Sequence, residues 1–78
     1  MGNKAKPVDG YKKIICSKID EYLNKTGMTN KDFGALFNVT ESNVRSWRTC
    51  NTSLDVNQVV ILMKYWNVSF EELVDLNK

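Results

Sequence analysis

Apolar residues recur along this chain at intervals of three and four and never alternate over the length of a strand, so the pattern predicts helices throughout. Residues 1–8, with Lys4, Lys6 and Pro7, are polar and read as a flexible arm ahead of a single domain spanning residues 9–78. Asp9 is a good N-cap, and Tyr11, Ile14, Ile15, Ile19, Tyr22 and Leu23 make one face of a helix that runs to about Lys25. Gly27 then supplies a left-handed stop. A second, short helix opens at Thr29, with Asp32 three residues on as a weak capping box. It buries Phe33 and Phe37 one turn apart and ends at Asn38. Thr40 caps a third, Glu41 to Thr49, whose inward residues are Val44 and Trp47. After a polar loop over residues 50–54, Asp55 caps a fourth helix, Val56 to Trp66, with Val59, Leu62, Met63 and Trp66 inward. Asn67 repeats the stop, and Ser69-Phe-Glu-Glu72 is a full capping box for a fifth helix with Leu73 and Leu76 buried. Leu36 and Ile61 fall outside these stripes, without an evident core partner.

Five short helices in 78 residues enclose one small core, of the size that stabilises by roughly 3–5 kcal/mol. No apolar run approaches the ~20 residues of a membrane span, and no secretory segment follows Met1, so a soluble, cytoplasmic protein without membrane association is expected. The chain has no histidine, no nucleophile with a recognisable base, no glycine-rich phosphate loop and no acidic metal cluster. An enzyme is therefore not expected, and neither is a cofactor or metal. Cys16 and Cys50 are too few for a disulfide scaffold and lack metal-ligand spacing. Cys16 reads as a small core hydrophobe, and Cys50 as a partly exposed loop residue open to a redox role. Three Asn-x-Ser/Thr triplets, at Asn38, Asn51 and Asn67, read as turn asparagines followed by a hydroxyl near a helix start. The net charge of +2 is unevenly placed: residues 1–54 carry nine Lys/Arg against five Asp/Glu, and residues 55–78 two against four. A polyanion would meet the first part of the chain.

The stretch that carries chemistry is Asn30 to Thr49, two short helices about a tight turn at Asn38-Val39. The second exposes short polar side chains and an arginine, the types that read base edges in a major groove wide enough for one helix. Arg45 suits a bidentate contact to guanine, and the helix start at Thr40 suits a phosphate oxygen. In Phe33-Gly34, in Asn38-Val39 at the turn, in Val44 and Trp47, and in Asn67-Val-Ser-Phe-Glu-Glu-Leu73, the chain resembles the phage lambda repressor and Cro-like helix-turn-helix family over roughly residues 9–76.

The resemblance implies an all-α, five-helix lambda-repressor-like DNA-binding domain acting as a phage or bacterial transcriptional regulator on double-stranded DNA, as a homodimer. It implies base-edge contacts by Glu41, Ser42, Arg45 and Ser46, and phosphate contacts by Asn30, Lys31, Thr40, Asn43, Thr49 and Asn51. Arg48, near the helix end, is expected to touch the DNA backbone or to be immaterial. The chain departs from the family's pattern in having Asn30 for glutamine, Asn38 for the turn glycine, Gly34 for alanine, and Arg48-Thr49-Cys50 where Glu and Arg-Gly are frequent. Glu41 either accepts from a cytosine amino group or favours the helix N-terminus electrostatically. The arm lysines either stay solvated or reach around the duplex. The rival reading is a protein-binding module of the same fold, directed at a partner repressor or acting like an antitoxin. The modest charge, Glu41, and the apolar Leu36 and Ile61 support it.

Overall fold

The computed structural model describes residues 5–74, with side chains from residue 10 onward. Five helices follow in chain order: α1 (Ala5–Thr26), α2 (Asn30–Phe37), α3 (Glu41–Arg48), α4 (Val56–Trp66) and α5 (Phe70–Leu73), with no strand among the described residues. The helix boundaries follow local chemistry. Thr29, Thr40, Asp55 and Ser69 each accept a backbone N–H from the residue three positions on, and at Asp55 and Ser69 the capping box is reciprocal, through Gln58 and Glu72. Gly27, Asn38 and Asn67 end the helices before them with left-handed backbone (φ 75°, 58° and 56°).

Two expectations about the first helix need correction. It begins at Ala5 rather than Asp9, so residues 5–8 are helical and not part of an arm. Pro7 permits this because its missing N–H falls in the first turn, where an amide has no intrahelical acceptor. Tyr11 is exposed rather than inward and packs edge-on against Phe70, ring centroids 5.7 Å apart. Lys4, the Lys6 side chain and Leu76 lie outside the described residues.

The core draws on every helix. Ile15, Ile19 and Leu23 of α1 meet Phe33 and Phe37 of α2, Val44 and Trp47 of α3, Leu62 of α4 and Leu73 of α5. Leu54, from the segment expected to be a polar loop, is also buried and joins this core. Val59, Met63 and Trp66 pack against this cluster only partly buried, so Leu62 alone carries the fully inward position of α4. The aromatic centre is tight: Phe33 lies 5.1 Å from Phe37, and Phe37 lies 5.2 Å from Trp47, centroid to centroid. Leu36 and Ile61 are exposed, as their positions outside the apolar stripes imply.

The approach of α2 to the turn before α3 explains Gly34. A Cβ there would sit 2.8 Å from the Val39 carbonyl oxygen and 3.2 Å from Val44 Cγ2, while the Gly34 carbonyl accepts the Val39 N–H at 3.0 Å. Gly34 is thus required by close backbone contact, and an alanine at this point would have to displace backbone.

Candidate nucleic-acid interface

With Val44 and Trp47 committed to the core, the remaining faces of α3 are left to solvent. Glu41, Ser42 and Arg45 are exposed and Ser46 is half-buried, so the expected base-edge residues all lie on α3, as does the exposed Asn43 expected to touch phosphate. Lys31, Thr40, Thr49 and Asn51 are exposed, and Asn30 is half-buried at the start of α2. Several of these side chains already have work within the fold. The Thr40 hydroxyl accepts the Asn43 N–H at 3.3 Å as the cap of α3. The Thr49 hydroxyl donates to the carbonyls of Arg45 and Ser46, at 3.3 and 3.2 Å. Asn51 is held by its backbone N–H to the Ser46 carbonyl at 3.0 Å, which folds the loop after α3 back along the helix.

Arg45 is not a solitary cation. Its guanidinium pairs with Glu41 one turn earlier, at 3.3 Å, and both side chains are more than half exposed. A pair this wet is worth a few tenths of a kcal/mol, small enough to be given up for a better partner. The two charges nonetheless cancel on the face that a polyanion would meet.

Arg48 differs from its expected role. Instead of facing outward it reaches back across α1 and α2: Nε donates to Asp20 Oδ1 at 2.6 Å, Nη1 to Asn30 Oδ1 at 2.8 Å and Nη2 to Asn24 Oδ1 at 2.6 Å. Asn24 Nδ2 in turn donates to the second Asp20 oxygen at 3.4 Å. The side chain is 23% exposed, so this fork is partly shielded and fixes the C-terminal end of α3 against both preceding helices. It also orients Asn30. A guanidinium has only donors, so the Asn30 amide must turn its oxygen to Arg48 and its NH2 away, leaving a donor at the first position of α2. The sequence carries no sign of this arrangement beyond Arg48 itself, because Asp20 and Arg48 are joined only by the fold.

A second feature sequence reasoning missed is a cleft of about 650 Å³ between the early turns of α1 and the loop after α3. Lys12 and Lys13 line one side and residues 50–53 the other, which places two exposed lysines across from Asn51. Farther along α1, a groove of about 420 Å³ is lined by Lys18, Lys25, Glu21, Tyr22, Trp66 and Val68. Tyr22 and Tyr65 share a hydrogen bond at 3.0 Å between their hydroxyls, which, with burial, raises the Tyr22 pKa above the usual tyrosine value. Among the described residues no group of three acidic, cysteine or histidine side chains is placed to hold a metal, and no helix is long and apolar enough to cross a membrane. Set against protein-family models, curated proteins and solved structures, the chain finds no match in any of the three.

Proposed function

We propose that this protein is a sequence-specific double-stranded DNA-binding transcriptional regulator, in which α2 and α3 form a helix-turn-helix of the lambda repressor and Cro kind and α3 enters the major groove. The observation that carries the reading is the way α3 is presented. It is a short helix anchored by Val44 and Trp47, set against α2 by the Gly34 close approach and tied at its far end by Arg48. Its exposed face then offers Glu41, Ser42 and Arg45. Rigid presentation of short polar side chains is what direct readout of base edges requires. Lys31, the outward NH2 of Asn30, Asn43, Thr40, Thr49 and Asn51 surround that face as backbone contacts. Lys12 and Lys13 extend the basic border beyond Asn51.

The test is a salt-dependent titration against duplex from around the protein's own gene, compared with random duplex. Arg45→Ala is expected to remove about 1–3 kcal/mol of discrimination at one base position and leave the melting temperature nearly unchanged. A wild-type protein with no salt-dependent affinity for any duplex overturns the reading. A second reading, an adaptor that uses the same face on a partner protein, is favoured by one observation: Glu41 neutralises Arg45 and Asp20 neutralises Arg48, which leaves α3 without an unpaired cation. A partner-protein complex that survives high salt and is broken by Glu41→Lys would establish it.

A further inference from the structure

Four described residues have left-handed backbone: Gly27, Asn38, Cys50 and Asn67. Glycine lacks the Cβ that makes this region costly, and asparagine tolerates it better than most residues. Cys50, at φ 61°, is neither. The turn that ends α3 and sends the Cys50 N–H to the Trp47 carbonyl would be formed more easily by the residues the chain uses at its other three stops. A thiol stands at this point against the local backbone preference.

Its neighbour across the fold is the other cysteine. Cys16 is on the inner face of α1, 2% exposed, and its Sγ donates to the Thr52 carbonyl at 3.6 Å, so the loop carrying Cys50 is laid directly over it. Cys50 lies two residues before Thr52 in that loop, and both cysteines are free. Burial in the first place, and then this neighbour, push the Cys16 thiol up to about 12. The exposed Cys50 is therefore the thiol that an external reagent meets first.

We propose that Cys16 and Cys50 form a reversible dithiol–disulfide pair, responsive to a hydroperoxide, that fastens the loop after α3 to α1. The Cys50 thiolate attacks a peroxide oxygen, the O–O bond breaks, and the leaving oxygen departs as water once protonated. Cys50 is then a sulfenic acid. The Cys16 sulfur attacks the Cys50 sulfur and its proton leaves with the displaced hydroxide as a second water, forming the S–S bond. Two thiols lose two electrons and two protons, and hydrogen peroxide is reduced to two waters. The closed ring contains all of α2 and α3, and the bond fixes the side of the cleft that carries Asn51 relative to Lys12 and Lys13. Formation of the bond does not depend on what α3 binds, so this inference and the DNA reading stand or fall separately.

The test treats the reduced full chain with hydrogen peroxide, blocks remaining thiols after unfolding, and measures intact mass and tryptic peptides. The expected result is simultaneous loss of both thiols, a mass lower by two hydrogens, and peptide 14–18 joined to peptide 49–64. A thiol reductant should reverse it. The oxidised chain should melt on the order of 10 °C higher than the reduced one, as a cross-link closing a loop of this size implies. Cys50→Ser, altered at an exposed position, should fold, keep Cys16 reduced in peroxide and lose the shift. The proposal is overturned if wild type accumulates sulfinic acid at Cys50, or chains linked through Cys50, while Cys16 is still alkylated after unfolding. It is equally overturned if Cys50→Ser shows the same melting shift.

Discussion

Arg48 joins three elements through one guanidinium, and its removal leaves Asp20, Asn24 and Asn30 all without their donor. Arg48→Ala is expected to destabilise the fold by about 1–3 kcal/mol in chemical denaturation. Arg48→Lys should recover less than half of that, because an ammonium cannot serve three acceptors in one plane. Gly34 works in the opposite sense, by what it lacks. Alanine would normally improve a helix interior, yet here its Cβ meets a carbonyl oxygen at 2.8 Å. Gly34→Ala should therefore cost about 1–3 kcal/mol rather than gain the helix-propensity increment. Cys16 ties stability to alkaline pH. Its thiol titrates at about 12 in the folded chain against an ordinary value of 9.0. The unfolded chain thus releases the proton first, and stability present below about pH 9 falls as pH rises toward 12. Tyr22, raised chiefly by its bond to Tyr65, acts in the same direction. Under reducing conditions the denaturation midpoint should drop above pH ~9, and drop less in Cys16→Ala.

The elements are punctuated by a short device used twice. In Asn38-Val-Thr40 and Asn67-Val-Ser69 the asparagine ends one helix in left-handed backbone and the hydroxyl residue caps the next. The third triplet of this kind, Asn51-Thr-Ser53, does neither, because Cys50 takes the left-handed position and Asp55 caps α4. Thr40→Ala and Asp55→Ala should each cost about 1 kcal/mol, and the two should add. Cys50→Gly should be neutral to slightly stabilising in reducing buffer, which compares the turn with and without its Cβ. These boundaries were legible because capping and apolar spacing are properties of neighbours in sequence, and α2 to α5 begin where their caps indicate. The start of α1 was not, since Asp9 and Pro7 are both acceptable near a helix N-terminus and only the fold selects between them. The exposed face of α3 was legible as a set of residue types. What surrounds it was not: the inward turn of Arg48, the reason for Gly34 and the placing of the residue 50–53 loop over Cys16 all join residues distant in the chain.

At the scale of the whole molecule, α3 keeps an exposed polar face and α4 keeps exposed apolar residues. The described residues measure 42 × 24 × 22 Å, longer than the ~33 Å that a 22-residue helix such as α1 spans. A single helix in a groove covers few base pairs, so useful specificity calls for two copies on half-sites one turn apart. Val60, Ile61 and Tyr65 leave apolar surface on α4 available for pairing. Light scattering and footprinting should show a dimer on DNA, and protection of a lone half-site by a monomer would remove that expectation. The distribution of charge supplies the sharpest test. Glu41 and Arg45 cancel on the exposed face of α3, so on the proposed DNA reading nonspecific attraction would rest on Lys31 and the lysines bordering the cleft. Lys31→Ala should weaken every duplex alike and lower the salt slope by about one phosphate contact. Glu41→Ala should do the reverse. Freed from its partner, Arg45 adds a phosphate-seeking charge, so random duplex binds more tightly and more steeply with falling salt. The ratio of specific to random affinity then shrinks, because the carboxylate no longer holds Arg45 back from the wrong bases. If Glu41→Ala leaves both affinities where they were, Arg45 does not face the duplex and the register of α3 in the groove is not the one proposed.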